Sequence, residues 1–411
     1  MQRILLVAST TGYQVHEFYT AARALGIELL LATDRCHVLD NPWGDDAVSV
    51  RFEDSSPGVA SLRERGPFDG VIAVGDVPAK IAAEAAELLG LRFHPVEAVG
   101  AASDKFTVRE KFRAAGLAVP GYRLAKLNAD LEVEALRATY PCVLKPLHLS
   151  ASRGVIRADS PREFQAAFER IRAMLQPQRE ESLLIEDFIP GREFAIEGVM
   201  TRGRFQSLAL FDKPDPLDGP FFEETLYVTP SQLPTDLQRQ ILSTVARAVD
   251  ALGLRDGPVH AEARLNEQGV WMLEAAARPI GGLCARVLKF RLKGSSHDIG
   301  LEELLLRHAL GQDVSHAALS PGAHGVMMIP IPRSGVYQGA EGVEESRDVA
   351  GIEDIVLTAK PGQILRTLPE GSTYLGFIFA RGSTAEQVEL ALRRAHASLR
   401  FRISEALPVV R

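Results

Sequence analysis

The sequence predicts a mixed α/β and α+β protein. It divides into an N-terminal parallel-sheet unit over residues 1–98, a central unit over 99–318 and a small C-terminal α+β unit over 319–411. Three observations carry this. The first unit alternates apolar strand runs with helical spacing, which is the pattern of a parallel sheet covered on both faces. The central unit strings together strand pairs, polar loops and amphipathic helices. From about Ser320 the texture changes to short strands and turns, closed by one helix that opens on the capping box Ser383-Thr384-Ala385-Glu386.

Taken in order, Ile4 to Ala8 is a continuous apolar strand, and Val15 to Leu25 is a helix ending at Gly26. Strands follow at Ile27 to Ala32, Val48 to Phe52 and Gly70 to Val74, then a helix through Ala79 to Leu89 that stops at Gly90. The first turn, Ser9 to Gly12, lacks GxGxxG and gives no support to a dinucleotide site. With Gly75-Asp76 it lies where open parallel sheets bind ligands, past the carboxyl ends of strands; ordinary strand–helix turns are the plain alternative.

Ser103 reads as the N-cap of a helix running to Ala115. Lys105 falls in its first turn, where a positive charge opposes the helix dipole; it is either recruited for chemistry or simply solvated. The strand Pro141 to Lys145 ends in a lysine, followed by the small-residue loop His148-Leu-Ser-Ala-Ser-Arg-Gly154. Such a loop lets backbone N–H groups approach an anion, although the GK[ST] ending of a Walker A motif is absent. Next, Ser182 to Glu186 is a strand, Asp187-Phe188-Ile189 a short linker, Pro190-Gly191 a turn, and Glu193 begins a new strand. This suits an adenosine. Glu186 or a nearby backbone carbonyl would accept from the purine amino group, Phe188 and Ile189 would pack on the ring, and Glu193 would accept from the ribose hydroxyls. A polar-tipped hairpin is the alternative. Phe211 to Thr229 reads as a long loop or lid, and Thr235 to Gly253 as an amphipathic helix.

The stretch from His260 to Gly282 follows. Val259 to Leu265 and Val270 to Ala275 form two strands around Glu267-Gln268-Gly269, read as a three-residue hairpin loop. That loop pairs Asn266 with Val270, Arg264 with Met272 and Glu262 with Glu274. Two facing carboxylates repel, by ~1 kcal/mol in water and ~4 kcal/mol at an effective dielectric of 20. A divalent cation between them reverses the sign, and oxygen-only ligation suits Mg²⁺ shared with phosphate. Arg278 adds a cationic fork for phosphoryl oxygen. Solvation of the glutamates on an exposed sheet face is the other reading.

Composition bounds the function. The chain is 46% hydrophobic and 24% charged, with net charge −7, which argues against a general nucleic-acid binder. No apolar run reaches the length of a membrane span, and Met1 to Ala8 reads as a first strand rather than a signal peptide. Cys36, Cys142 and Cys284 are scattered without a CxxC pair, so a reducing cytoplasm is expected.

Lys105, Lys145 with its loop, Glu186 to Glu193, and Glu262, Glu274 and Arg278 come in one order along residues 1 to 318. In that order they resemble the ATP-grasp superfamily of carboxylate–amine ligases. Gly257 to Glu262, Glu274 to Gly282 and Gly376 to Gly382 are most similar to its L-amino-acid ligase (dipeptide synthetase) branch. The resemblance implies a pre-ATP-grasp N-terminal domain, a central ATP-grasp domain, and ATP with Mg²⁺ or Mn²⁺ as cofactors. It assigns the ATP phosphates to Lys105 and Lys145, with Ser150, Ser152 and Gly154 in a mobile loop over them. It gives adenine to Glu186, Asp187, Phe188 and Ile189, ribose to Glu193, and the metal to Glu262 and Glu274. Arg278, Lys145 and Glu274 would serve catalysis, and His260, Gly282 and Arg286 would meet substrate. The expected reaction activates a carboxylate as an acyl phosphate and joins it to an amine, giving ADP and phosphate. Partners would be small molecules, with neither nucleic acid nor membrane, in a protein that could form a homodimer. A carboxylase acting on bicarbonate and a non-catalytic nucleotide-binding regulator are the alternatives. One departure stands out: many members carry Asn two residues after the second metal Glu, and here that position is Ala276. The amino-acid ligase branch often shares this lack.

Overall fold

The computed structural model describes residues 1–9, 12–34, 47–176, 180–294 and 296–405. Cys36 lies outside them, as do the middle two residues of the Ser9 to Gly12 turn.

The N-terminal strands Arg3–Ala8, Glu28–Thr33, Ala47–Ser49 and Gly70–Val74 form a wholly parallel sheet. Ile4 to Ala8 are completely buried, as a strand covered on both faces must be. The helices Val15–Leu25 and Asp76–Leu89 end on Gly26 and Gly90, both left-handed at φ 65 and 68°. A further helix, Ser56–Arg65, has no counterpart in the sequence reading.

The next unit is a four-stranded antiparallel sheet ordered Tyr122–Lys126, Ser182–Asp187, Cys142–Pro146, Ile156–Ala158. The helix Pro161–Leu175 covers it through Phe164, Phe168 and Ile171. Before it runs the helix Lys105–Ala114. Its N-cap is Asp104, whose side chain accepts from the Thr107 N–H, rather than the expected Ser103. The Ser103 hydroxyl instead donates back to the Val99 carbonyl, closing the preceding helix.

The largest sheet has eight antiparallel strands, ordered Gly269–Ala276, Gly257–Asn266, Arg192–Thr201, Arg204–Asp212, Leu226–Thr229, Ala323–Ile329, Gly376–Gly382, Ile352–Leu357. The helix Thr235–Leu252 packs beneath its hairpin end through Ile241, Val245 and Val249. The C-terminal subdomain is therefore not a separate cap. Three of its strands extend the sheet that carries the 262/274 hairpin, joined where Leu226–Thr229 pairs with Ala323–Ile329. The expected loop from Phe211 to Thr229 is correspondingly shorter, because both its ends are strands. Among the described residues no helix is long and apolar enough to cross a membrane.

Candidate active site

The hairpin reaches its facing glutamates by a different route from the one the spacing suggests. The connection is tighter: Asn266 pairs with Gly269, Arg264 with Trp271 and Ala263 with Met272. The Asn266 side-chain oxygen accepts from the Gln268 N–H at 2.9 Å and from the Trp271 indole at 3.1 Å, closing the turn one residue early. A register shift then inserts Leu273 as an unpaired residue, and Glu262 falls opposite Glu274 after all. Arg109 donates to the carbonyl of Leu273 at 2.8 Å, so the bulge leaves no orphan there.

The two glutamates differ in partners. Glu274 has no hydrogen-bond or ion-pair partner among the described residues and lines the main cavity; it feels Lys105 and Arg278 through space. Glu262 accepts from Lys213 at 2.8 Å, and the same ammonium reaches Glu193 at 2.8 Å and Glu224 at 2.5 Å. The ligand oxygens of Glu193, Glu224 and Glu262 lie within 4.8 Å of one another. Buried Lys213 thus holds together a trio of carboxylates. Burial alone would lower its pKa, but Glu193, Glu224 and Glu262 outweigh that and raise it well above the usual lysine value. Glu224 is pushed up to about 7, by burial first, against Lys213 and with Glu262 adding.

At the small-residue loop, Lys105 donates to the Leu149 carbonyl at 2.5 Å, which places its amine against that loop. Burial lowers its pKa, Glu274 opposing and Lys145 adding. Lys145 pairs with Glu186 at 2.6 Å, and Arg109 pairs with the same carboxylate at 2.5 Å. Burial would raise the pKa of Glu186; Arg109 and then Lys145 outweigh it and hold it at about 2. In the loop, Ala151 and Ser152 both adopt positive φ, 54 and 55°, the kind of turn that exposes successive amides to an anion. Ser150, Ala151 and Ser152 line the cavity.

His148 fastens the root of this loop between Asp104 (3.2 Å) and Glu180 (3.3 Å). Hydrogen bonds to Asp104 and then Glu180 raise its pKa to about 9 from the ordinary 6.5. A raised histidine stabilises the fold fully below its unfolded value and loses that contribution as pH climbs through its folded value. Replacing it with glutamine should therefore flatten the fall in melting temperature between pH 6.5 and 9. Melting curves at spaced pH values check this, and an unchanged slope would rule it out.

Phe188 sits with Arg157 at 4.2 Å and Arg264 at 5.1 Å from its ring centre, and stacks against Phe222 at 6.5 Å. Arg264 also donates to the Ile189 carbonyl at 2.7 Å and to Glu193 at 3.0 Å. Arg278 grips Asp76 through two bonds of 2.9 and 3.4 Å. All these groups except Arg157 border one cavity of about 370 Å³, within the range of small-ligand sites.

Residues 138–287 match the ATP-grasp domain model, and residues 327–404 match the L-amino acid ligase C-terminal domain 2. The crystal structure of an L-amino acid ligase from Bacillus licheniformis superposes with a TM-score of 0.84 at 26% identity, covering 98% of this chain and 99% of that one. Residues 138–287 thus form an ATP-grasp domain. The chain is also similar to alanine--anticapsin ligase of Bacillus subtilis, 30% identical over 220 residues, 48% of this chain and 46% of that protein. The uncharacterized protein y4rH of Sinorhizobium fredii is 23% identical over 309 residues, 75% of this chain and 63% of that one. The chain thus spans from about half to under two thirds of the length of these two curated relatives.

Several residues of the chain sit differently from expectation. Glu186 already accepts from Arg109 and Lys145, which leaves it little capacity for a purine amino group. Glu193 is 8% exposed and shared between Lys213 and Arg264, leaving it little freedom to grip a ribose. Gly154 does not border the cavity. Its N–H donates to the Pro369 carbonyl at 2.9 Å, and at φ 68° a Cβ there would lie 2.6 Å from the Pro146 ring, so the position requires glycine. Arg286 also lies off the cavity: it joins Asp354 (3.2 Å) to Glu17 (3.8 Å) and covers the Phe379 ring. His260 borders the cavity but is held at 3.2 Å from Glu197 and 3.7 Å from Glu262. Burial lowers its pKa, and hydrogen bonds to Glu197 and Glu262 outweigh that, raising it to about 9. That direction favours the protonated ring over a proton acceptor. Gly282 borders the cavity at φ 62°, with Phe377 2.9 Å from a would-be Cβ. Lys213, Glu224 and Arg109 were not singled out from the sequence. Arg109 stands one helical turn after Lys105, on the same face, and that spacing was the available signal.

Proposed function

We propose that this ATP-grasp chain is an ATP-dependent ligase that activates the carboxylate of an amino acid and joins it to an amine. One observation carries the reading: a partnerless Glu274 facing Glu262, with Lys105, Lys145 and Arg278 around the same cavity. The matching L-amino acid ligase C-terminal domain and the likeness to an L-amino acid ligase along nearly the whole chain support it.

The carboxylate set is all oxygen, as Mg²⁺ or Mn²⁺ requires, and Glu262 and Glu274 would hold the ion. When bound it supplies positive charge to phosphoryl oxygens. With Ala276 in place of a further ligand, phosphate or water would complete its shell. The chain's own groups do the rest. Lys105, Lys145 and Arg278 neutralise the transferring phosphoryl group as a substrate carboxylate oxygen bonds to the γ-phosphorus and the bond to ADP breaks. The Ser150 to Ser152 turn shuts water from the acyl phosphate. The amine nitrogen then bonds to the acyl carbon, the carbon–oxygen bond to phosphate breaks, and the nitrogen's proton passes to the departing phosphate. Glu224, bordering the cavity beside Tyr227, would hold a substrate ammonium.

A phosphate-release screen over pairs of amino acids, with hydroxylamine trapping, tests this. ADP, phosphate and a trapped hydroxamate that appear only with an amino acid are the expected result. ADP formation that depends on bicarbonate instead, or none with any pair, would overturn it.

A further inference from the structure

Arg278 has committed three of its N–H groups before any substrate arrives. Nε and one Nη2 proton go to Asp76, at 2.9 and 3.4 Å, and one Nη1 proton goes to the Pro279 carbonyl at 3.1 Å. A guanidinium carries five donors, so two remain, on a side chain that borders the cavity. Asp76 comes from a distant part of the chain. It opens the helix Asp76–Leu89, directly after the strand Gly70–Val74 and a turn at Gly75 with φ 104°. The partners stand 202 residues apart in sequence, and the Arg278 side chain is 12% exposed.

The chemistry of this pair is unusual for an anion site. A carboxylate beside the arginine that faces a phosphoryl group repels that group, and the repulsion is strongest where water is scarce. Arg278 also lies in the fields of Glu274 and Glu197. A chain built only to attract phosphate would leave the arginine unpaired. What the carboxylate provides is geometry: a side-on, two-point grip fixes the plane of the guanidinium and removes its rotamer freedom before substrate binds. Asp76 also ties three elements together. Burial opposes its ionisation, but Arg278 outweighs burial, and Lys105 and the Ser150 hydroxyl of the small-residue loop add to it. The N-terminal unit and the segment just after the hairpin thus meet at one carboxylate.

We propose that Asp76 is a positioning residue for phosphoryl transfer, orienting Arg278 so that its two uncommitted N–H groups serve the reacting phosphoryl oxygens. The inference rests on the ligase reading above. Asp76 acts through Arg278 and touches no reacting atom.

The test compares Asp76→Asn with Asp76→Glu in the full-length protein. The amide keeps the size but loses the charge and one of the two acceptor atoms; the glutamate keeps both at a different reach. Asp76→Asn should lower kcat for ADP formation roughly 30- to 100-fold, the scale of a misplaced catalytic group. KM for ATP should stay within about twofold, since uniform binding is untouched. Asp76→Glu should recover a measurable part of kcat. A merely structural interface would lower the melting temperature in step with activity and give no kcat-against-KM split. A second readout is independent of turnover: exchange of the Arg278 Nε proton in ¹⁵N-labelled protein, slow in the wild type and fast in Asp76→Asn. Unchanged exchange, or wild-type kcat in Asp76→Asn, overturns the proposal. A wild type that makes no substrate-dependent ADP sinks the ligase reading instead, and the exchange measurement still decides whether Asp76 fixes Arg278.

Discussion

Glu274→Gln is expected to cut substrate-dependent ADP formation about a thousandfold while leaving the protein folded. Charge stabilisation of a phosphoryl transition state by a held metal is worth several kcal/mol, and each 1.36 kcal/mol is about tenfold in rate. Stability should hold or rise. Glu274 has no hydrogen-bond or ion-pair partner among the described residues, so the amide breaks nothing. It removes the repulsion with Glu262 directly across the strand pair. Lys105 and Arg278 lose an attractive field in exchange, which keeps the net change small. A melting temperature at or above the wild type together with lost turnover is the combination that marks a residue kept for chemistry. Turnover unchanged with every candidate substrate pair would show that the catalytic reading is wrong.

The facing of Glu262 and Glu274 was legible in the sequence, although for a partly mistaken reason. Counting back from a three-residue loop gave the pairing; the real turn is tighter and the Leu273 bulge restores it. Spacing records which side chains share a face, but a bulge is paid for by a distant partner, here Arg109, and local periodicity does not show that partner. The N-terminal sheet was legible because its strands are buried on both faces and read as unbroken apolar runs. The continuation of the large sheet into the C-terminal subdomain was not. It depends on Leu226–Thr229 pairing with Ala323–Ile329, a contact fixed by tertiary packing across a wide sequence gap. The same gap hid Lys213 and Glu224. Both lie within the Phe211 to Thr229 stretch that reads as a lid, yet they pair with each other at 2.5 Å in the buried carboxylate cluster. A buried lysine among three carboxylates is a property of the folded arrangement. Its sequence trace is only a lysine directly after a strand and the doublet Glu223-Glu224.

Lys213→Met should produce the largest loss of stability, about 3–5 kcal/mol at neutral pH, the cost of breaking a buried ion pair from one side. The methionine fills the volume, so packing contributes little and the loss reports charge. Glu193 keeps Arg264 at 3.0 Å and Glu262 keeps His260 at 3.7 Å, whereas Glu224 retains only the Tyr227 hydroxyl at 2.7 Å. With the ammonium gone, the trio can lower its energy by taking up a proton, so the glutamate pKa values rise above their unfolded values. Acids raised in the folded state bind more protons there than in the unfolded chain, and stability then falls as pH rises. The deficit of the variant should accordingly shrink as pH is lowered toward 5 and grow toward pH 8. A divalent cation offers a second remedy. The three ligand oxygens already lie within 4.8 Å of one another, so millimolar Mg²⁺ or Mn²⁺ should restore part of the loss by mass action on the folded state and chelator should remove it. Urea titrations across pH, with and without metal, measure both effects. A deficit under about 1 kcal/mol that ignores pH and metal would mean that the carboxylates are screened by water, as an exposed cluster would be, and that Lys213 does not hold the trio.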